Sequence, residues 1–186
     1  MKTLRSAICF AMLMRLTTLS AGAEPNTQKS FDLLKTFSGS WVGKTAQGQA
    51  VQVSYRMTAA GSALMSEILA TEMGAQHDMI SMFHLDGNRL LLTHYCAVGN
   101  QPRMVASLSS DGKSVTFDFL DATNLANPAA GHMNRVTFSA VDANHHTEEW
   151  RFVQEGKEIV QIFDLHRKSE STESRLWEWA GTPAQK

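Results

Sequence analysis

Cysteine is scarce in this chain. Of its two, Cys9 and Cys96, the first lies in a leader-like N-terminal stretch, which leaves one cysteine for the folded part and excludes an internal disulfide framework. The neighbours of Cys96 favour a buried, inert thiol over a reactive or bridging one. Charge of one sign is missing as well. Seventeen Lys and Arg stand against 18 Asp and Glu, a formal net charge of −1, so neither nucleic acid nor an anionic membrane surface is an expected partner. Long hydrophobic runs are absent: the apolar stretch up to Met14 is too short to cross a bilayer, so no membrane insertion is expected. Signatures of common catalysts are missing too. There is no Gly-x-Ser-x-Gly elbow, phosphate-cradling glycine loop, His-Glu-x-x-His or Cys-x-x-Cys, and no Ser stands beside an obvious His–acid pair.

What is there begins with a targeting pattern. Lys2 and Arg5 precede the apolar run, and Ala21-Gly22-Ala23 offers a small-x-small cleavage site ahead of Glu24-Pro25, the layout of a secretory signal peptide. Arg15 interrupts that layout. Cleavage after Ala23 removes Lys2, Arg5 and Arg15, lowering the basic count from 17 to 14 against 18 acids, a net charge of −4. The expected organisation is a signal peptide over 1–23, a polar linker over 24–29, one domain over 30–168 and a tail over 169–186. The expected destination is outside the cytoplasm, secreted or periplasmic. The tail carries Trp177 and Trp179, which suggest docking onto the body or onto a partner.

Phe31, Leu34 and Phe37 share one helical face, with Ser30 placed as an N-cap. From Trp41 onward the hydrophobic period becomes two. Val51, Val53, Tyr55 and Met57 alternate with polar residues, as a half-buried strand does. Turn residues then recur at short intervals, with Asp86-Gly87-Asn88 and Ser110-Asp111-Gly112-Lys113 as the clearest hairpin signals. Thr123–Gly131 is a longer loop, suited to a rim or lid. About ten short strands with no crossover helices between them predict an all-β antiparallel up-and-down barrel with one short N-terminal helix; a β-sandwich shares the strand count.

The helix followed by Gly39-Ser40-Trp41 and a meander of hairpins resembles the calycin superfamily: lipocalins, fatty-acid-binding proteins and nitrobindin-like barrels. In layout the resemblance covers the whole mature chain. It implies that Trp41 closes one barrel end beneath a late arginine, for which Arg167 is best placed. Leu92–Met104 and Asp118–Asn124 look more specifically like a group of secreted bacterial calycin-like barrels, a resemblance that carries no known activity with it.

In a barrel, polar residues in phase with the apolar stripe point inward, and burying one without a partner costs on the order of 1–3 kcal/mol. Phase places His94, Cys96, Asp121, His132, Asn134 and Glu148 inside and Arg103 outside, unless a bulge at Pro102 re-aims it. His84 joins His94 only in one hairpin register. His145-His146 sits in a turn and is expected to be solvated. The run Leu90–Met104 is where an apolar strand meets a polar turn. The candidate ligand-binding residues are His94, Tyr95, Asn100, Gln101, Arg103, Asp121, Asn124 and His132, with the Met side chains as a soft lining. For Asn100 and Arg103 a self-braced turn, with Arg103 paired to Asp118 or Asp121, is an equal alternative. The leading expectation is a barrel that binds a small apolar or amphipathic molecule, with no cofactor or metal. The alternatives are an enzyme using His94 or His132 as base with Asp121 or Glu148, haem held through His166, and a structural or partner-binding barrel.

Overall fold

The computed structural model describes residues 26–72 and 75–169. Helix α1 (Asn26–Lys35) leads into ten strands: β1 (Gly39–Thr45), β2 (Ala50–Thr58), β3 (Ala63–Glu72), β4 (Ala75–Asp86), β5 (Arg89–Tyr95), β6 (Gln101–Leu108), β7 (Ser114–Thr123), β8 (His132–Asp142), β9 (His145–Gln154) and β10 (Lys157–Arg167). Each strand pairs antiparallel with the next, and β10 returns to β1, closing the barrel. The expected fold class is therefore the observed one. The signal-peptide segment and the tail tryptophans lie outside the described residues.

Alternation does the sorting. Val51, Val53 and Tyr55 of β2, Leu90, Leu92 and His94 of β5, and His146, Glu148 and Trp150 of β9 are all buried on the inner wall. The His84 register resolves outward: Phe83 pairs with Leu92 on the buried face, and His84 stands opposite Leu91.

α1 starts at Asn26, four residues before the expected N-cap. Ser30 is not a cap but lies within the helix, where its hydroxyl donates to the Asn26 carbonyl at 2.8 Å. Its first turn is tied to the barrel, where Thr27 donates to the Asn88 carbonyl of the β4–β5 hairpin. The helix thus lies against this end of the barrel, and Phe31, Leu34 and Phe37 fill it.

Here the Gly-x-Trp triplet finds its physical role. The Arg167 guanidinium sits 4.2 Å from the Trp41 ring, donates to the carbonyls of Ser38 and Thr36 at 2.8 and 3.0 Å, and reaches the Ala143 carbonyl as well. Gly39 has φ +121°, and a side chain there would crowd the guanidinium. Four residues on, β1 presses against β10: a Cβ on Gly43 would lie 1.8 Å from the Asp164 carbonyl oxygen. Gly43→Ala must push these strands apart. It is expected to lower stability by at least about 2 kcal/mol, read as a shifted urea midpoint; an unchanged midpoint contradicts so close an approach.

Candidate functional site

The barrel end opposite α1 is open. There a cavity of about 510 Å³ is lined by Met79, Met133, Trp150, Phe152 and Ile159, by Gln47, Gln49 and Gln161, and by Cys96, Ala97 and Val98 of the β5–β6 turn. Its volume falls in the range of small-molecule sites, and its few polar groups stand among apolar ones. Val98 and Ile159 are each 58% exposed, so its rim presents apolar surface to water. A smaller hollow of about 270 Å³ at β1–β4 mixes polar residues, among them Gln52, Glu67 and Asp78, with apolar ones such as Val53, Ile68 and Leu69.

Beneath the cavity a band of polar side chains crosses the interior, all of it buried. Glu148 is its centre. Its Oε1 accepts from the Tyr55 hydroxyl and lies 3.3 Å from His146 Nε2, and its Oε2 accepts from Trp150 Nε1 at 2.9 Å. Desolvation first, and then the neighbouring Glu148 charge, hold the Tyr55 phenol well above its ordinary pKa, so it stays a donor. His146 is stacked on Phe37 at 4.2 Å and meets the Trp41 ring edge-on. On the other side of Trp150 lies His94, with ring centroids 4.8 Å apart. Its Nδ1 is 2.9 Å from the Ser81 hydroxyl, and its Nε2 has no hydrogen-bond partner among the described residues. Burial pushes the His94 pKa down to about 4, so the ring is neutral near pH 7.

The remaining sequence candidates gather on the barrel wall beside this mouth. β7 and β8 pair only as far as Asp118 and Arg135 and then part, and the β5–β6 turn and the loop after β7 close the seam. Asn100 is buried and donates to the Gly131 carbonyl at 2.7 Å, Asn124 donates to the Gly99 carbonyl at 2.6 Å, and Thr123 donates to Gln101, whose own amide reaches Gly99. Asn124 holds φ +53°, a left-handed conformation that asparagine tolerates. His132 rests on Phe119 at 4.6 Å with Nδ1 2.8 Å from the Ala130 carbonyl. Tyr95 is 49% exposed on the wall.

Two irregularities overturn the expected phase. Between β6 and β7, Arg103 pairs with Asp121 but Met104 pairs with Phe119, so Leu120 is an extra residue. Asp121 is therefore turned outward, against expectation, into an exposed two-point pair with Arg103. Between β8 and β9, Met133 pairs with Phe152 and Arg135 with Arg151, leaving Asn134 in a bulge. Met133 lines the cavity in place of Asn134, and His132, though buried, braces the loop.

Among the described residues neither His94 nor His132 has a carboxylate as hydrogen-bond partner, and the ring that meets Glu148 is His146. Sequence reasoning misplaced His146 in a solvated turn, although its parity with Glu148 and Trp150 was the available signal. His166 is exposed on the outer wall and stacked against His145. It borders neither hollow, and that position does not fit an enclosed haem.

The neutral His94 has a consequence for stability. Its folded pKa of about 4 lies below the ordinary 6.5, so above pH 6.5 neither state is protonated there and the site exerts no pH dependence. Between 6.5 and 4 the unfolded chain binds a proton that the folded chain does not, and stability falls. The loss amounts to about 3 kcal/mol over that window. His94→Gln is expected to flatten the decline in urea-derived stability between pH 7 and 4; an unaltered slope contradicts the assignment.

No protein-family model and no curated protein matches the sequence. The closed ten-strand antiparallel barrel with its single short helix is consistent with a calycin-like fold.

Proposed function

We propose that this protein is an exported barrel that binds one small, largely apolar molecule in the cavity at its open mouth. The observation that carries the proposal is the cavity itself: about 510 Å³ with Met79, Met133, Trp150, Phe152 and Ile159 around it. Burying apolar ligand surface there gains about 25 cal/mol per Å², and the unbranched methionines adapt to varied shapes. Gln47, Gln49 and Gln161 supply neutral donors and acceptors for a polar end. Among the described residues no Lys, Arg, Asp or Glu lines this cavity, a lining that suits an uncharged ligand. Asn100, Gln101, Arg103, Asp121, Asn124 and His132 serve by holding the wall beside the rim, while His94 backs the Trp150 floor. The proposal accords with the resemblance to lipocalins and to secreted calycin-like barrels.

The test is protein purified without detergent, extracted with organic solvent and examined by mass spectrometry. In parallel the emptied protein is titrated with N-phenyl-naphthylamine. Saturable binding of one probe per chain is expected, with Met133→Trp filling the cavity and weakening it at least about tenfold, equivalent to 1.4 kcal/mol. An empty extract together with no saturable probe binding overturns the proposal, as does unchanged affinity in Met133→Trp.

A further inference from the structure

The outer wall carries a side-chain cluster that the mouth cavity does not use. His145 on β9 and His166 on β10 face each other across the strands, and their rings stack with centroids 4.3 Å apart and planes 18° apart. Asp164, two residues before His166, shares its face of the sheet. Its Oδ1 lies 2.7 Å from His145 Nε2 and 3.6 Å from His166 Nε2. Both rings therefore direct the same nitrogen toward one carboxylate oxygen, and the three atoms all lie within 4.8 Å of one another.

We propose that His145, Asp164 and His166 form a three-ligand site for a divalent transition-metal ion, zinc in type, with water completing the coordination. Metal–ligand bonds of about 2.1 Å at tetrahedral angles hold donor atoms about 3.4 Å apart, a spacing that the observed distances bracket. Asp164 and His166 are 61% and 62% exposed, so small rotations about their side-chain bonds suffice to seat the ion. An exposed His–Asp pair contributes little to stability. The 2.7 Å bond moreover engages His145 alone, and the convergence of the second ring on that oxygen is what an ion explains. Two imidazoles with one carboxylate select zinc, nickel or copper over magnesium or calcium. The neighbouring wall is compatible with a cation. Asp142 pairs with His145 on β8, Thr147 stands beside Asp164 on β9, and Lys44, opposite Asp164 on β1, is exposed and has room to turn away.

Isothermal titration of the full chain with zinc chloride and, separately, magnesium chloride tests the site. One equivalent of zinc and no magnesium is expected. Asp164→Asn and His166→Ala should each weaken zinc binding at least about tenfold through loss of one ligand, while His84→Ala, elsewhere on the wall, leaves it unchanged. Circular dichroism of the variants separates ligand loss from misfolding, and cobalt substitution adds visible absorption bands that vanish in Asp164→Asn. Absence of zinc uptake by the wild-type chain, or uptake unchanged in both ligand variants, overturns the proposal.

Discussion

A carboxyl group withdrawn from water is tolerable only where donors replace its hydration, and Glu148 has no exposed surface. Tyr55, His146 and Trp150 supply that replacement, and much of the interior follows. Tyr55 reaches from β2 and the other three groups belong to β9, so the network spans the lumen and ties two separated parts of the wall together. Trp150 is held by its indole nitrogen, which orients the ring that floors the cavity and leans on His94. Removing one member leaves the others buried and short of a partner, an outcome more costly than never having built the network.

The two ends of the barrel divide the labour. At one, α1 inserts Phe31 and Leu34 and the turn after it adds Phe37, with Trp41 and Arg167 locking the first strand to the last. At the other, apolar side chains surround an open space, and a stitched seam of Asn100, Asn124, Thr123 and Gln101 keeps the turn and the long loop in place. Rigidity beside an opening preserves its shape, as the proposed ligand site requires.

Strand count, order and most inward positions were legible in the sequence because a period of two and Asp-Gly hairpins are local signals. His94, Glu148 and the Trp41–Arg167 contact followed from phase and from the Gly-x-Trp resemblance. Two of the failures share a cause. A bulge adds a residue without altering composition, so phase counted through Leu120 or Asn134 comes out reversed, as it did for Asp121 and Asn134. His146 failed for another reason: its neighbour His145 and the adjacent turn residues suggested solvent, whereas the pairing of Ala140 with His146 continues the β8–β9 ladder to the barrel floor. The hydrogen bond that ties α1 to Asn88, 61 residues away, is a contact that no local pattern encodes.

The lock between the first and last strands also governs how the chain reaches its native state. Arg167 and Ser38 meet across 129 residues of sequence, so circularising the sheet requires ordering nearly the whole domain before that contact returns any free energy. Hairpins such as β4–β5 can assemble early from neighbours in sequence, but the ring is completed late. Until then β1 and β10 each present an unsatisfied ladder of amides and carbonyls, and during that interval the nascent domain is most open to pairing with the wrong strand.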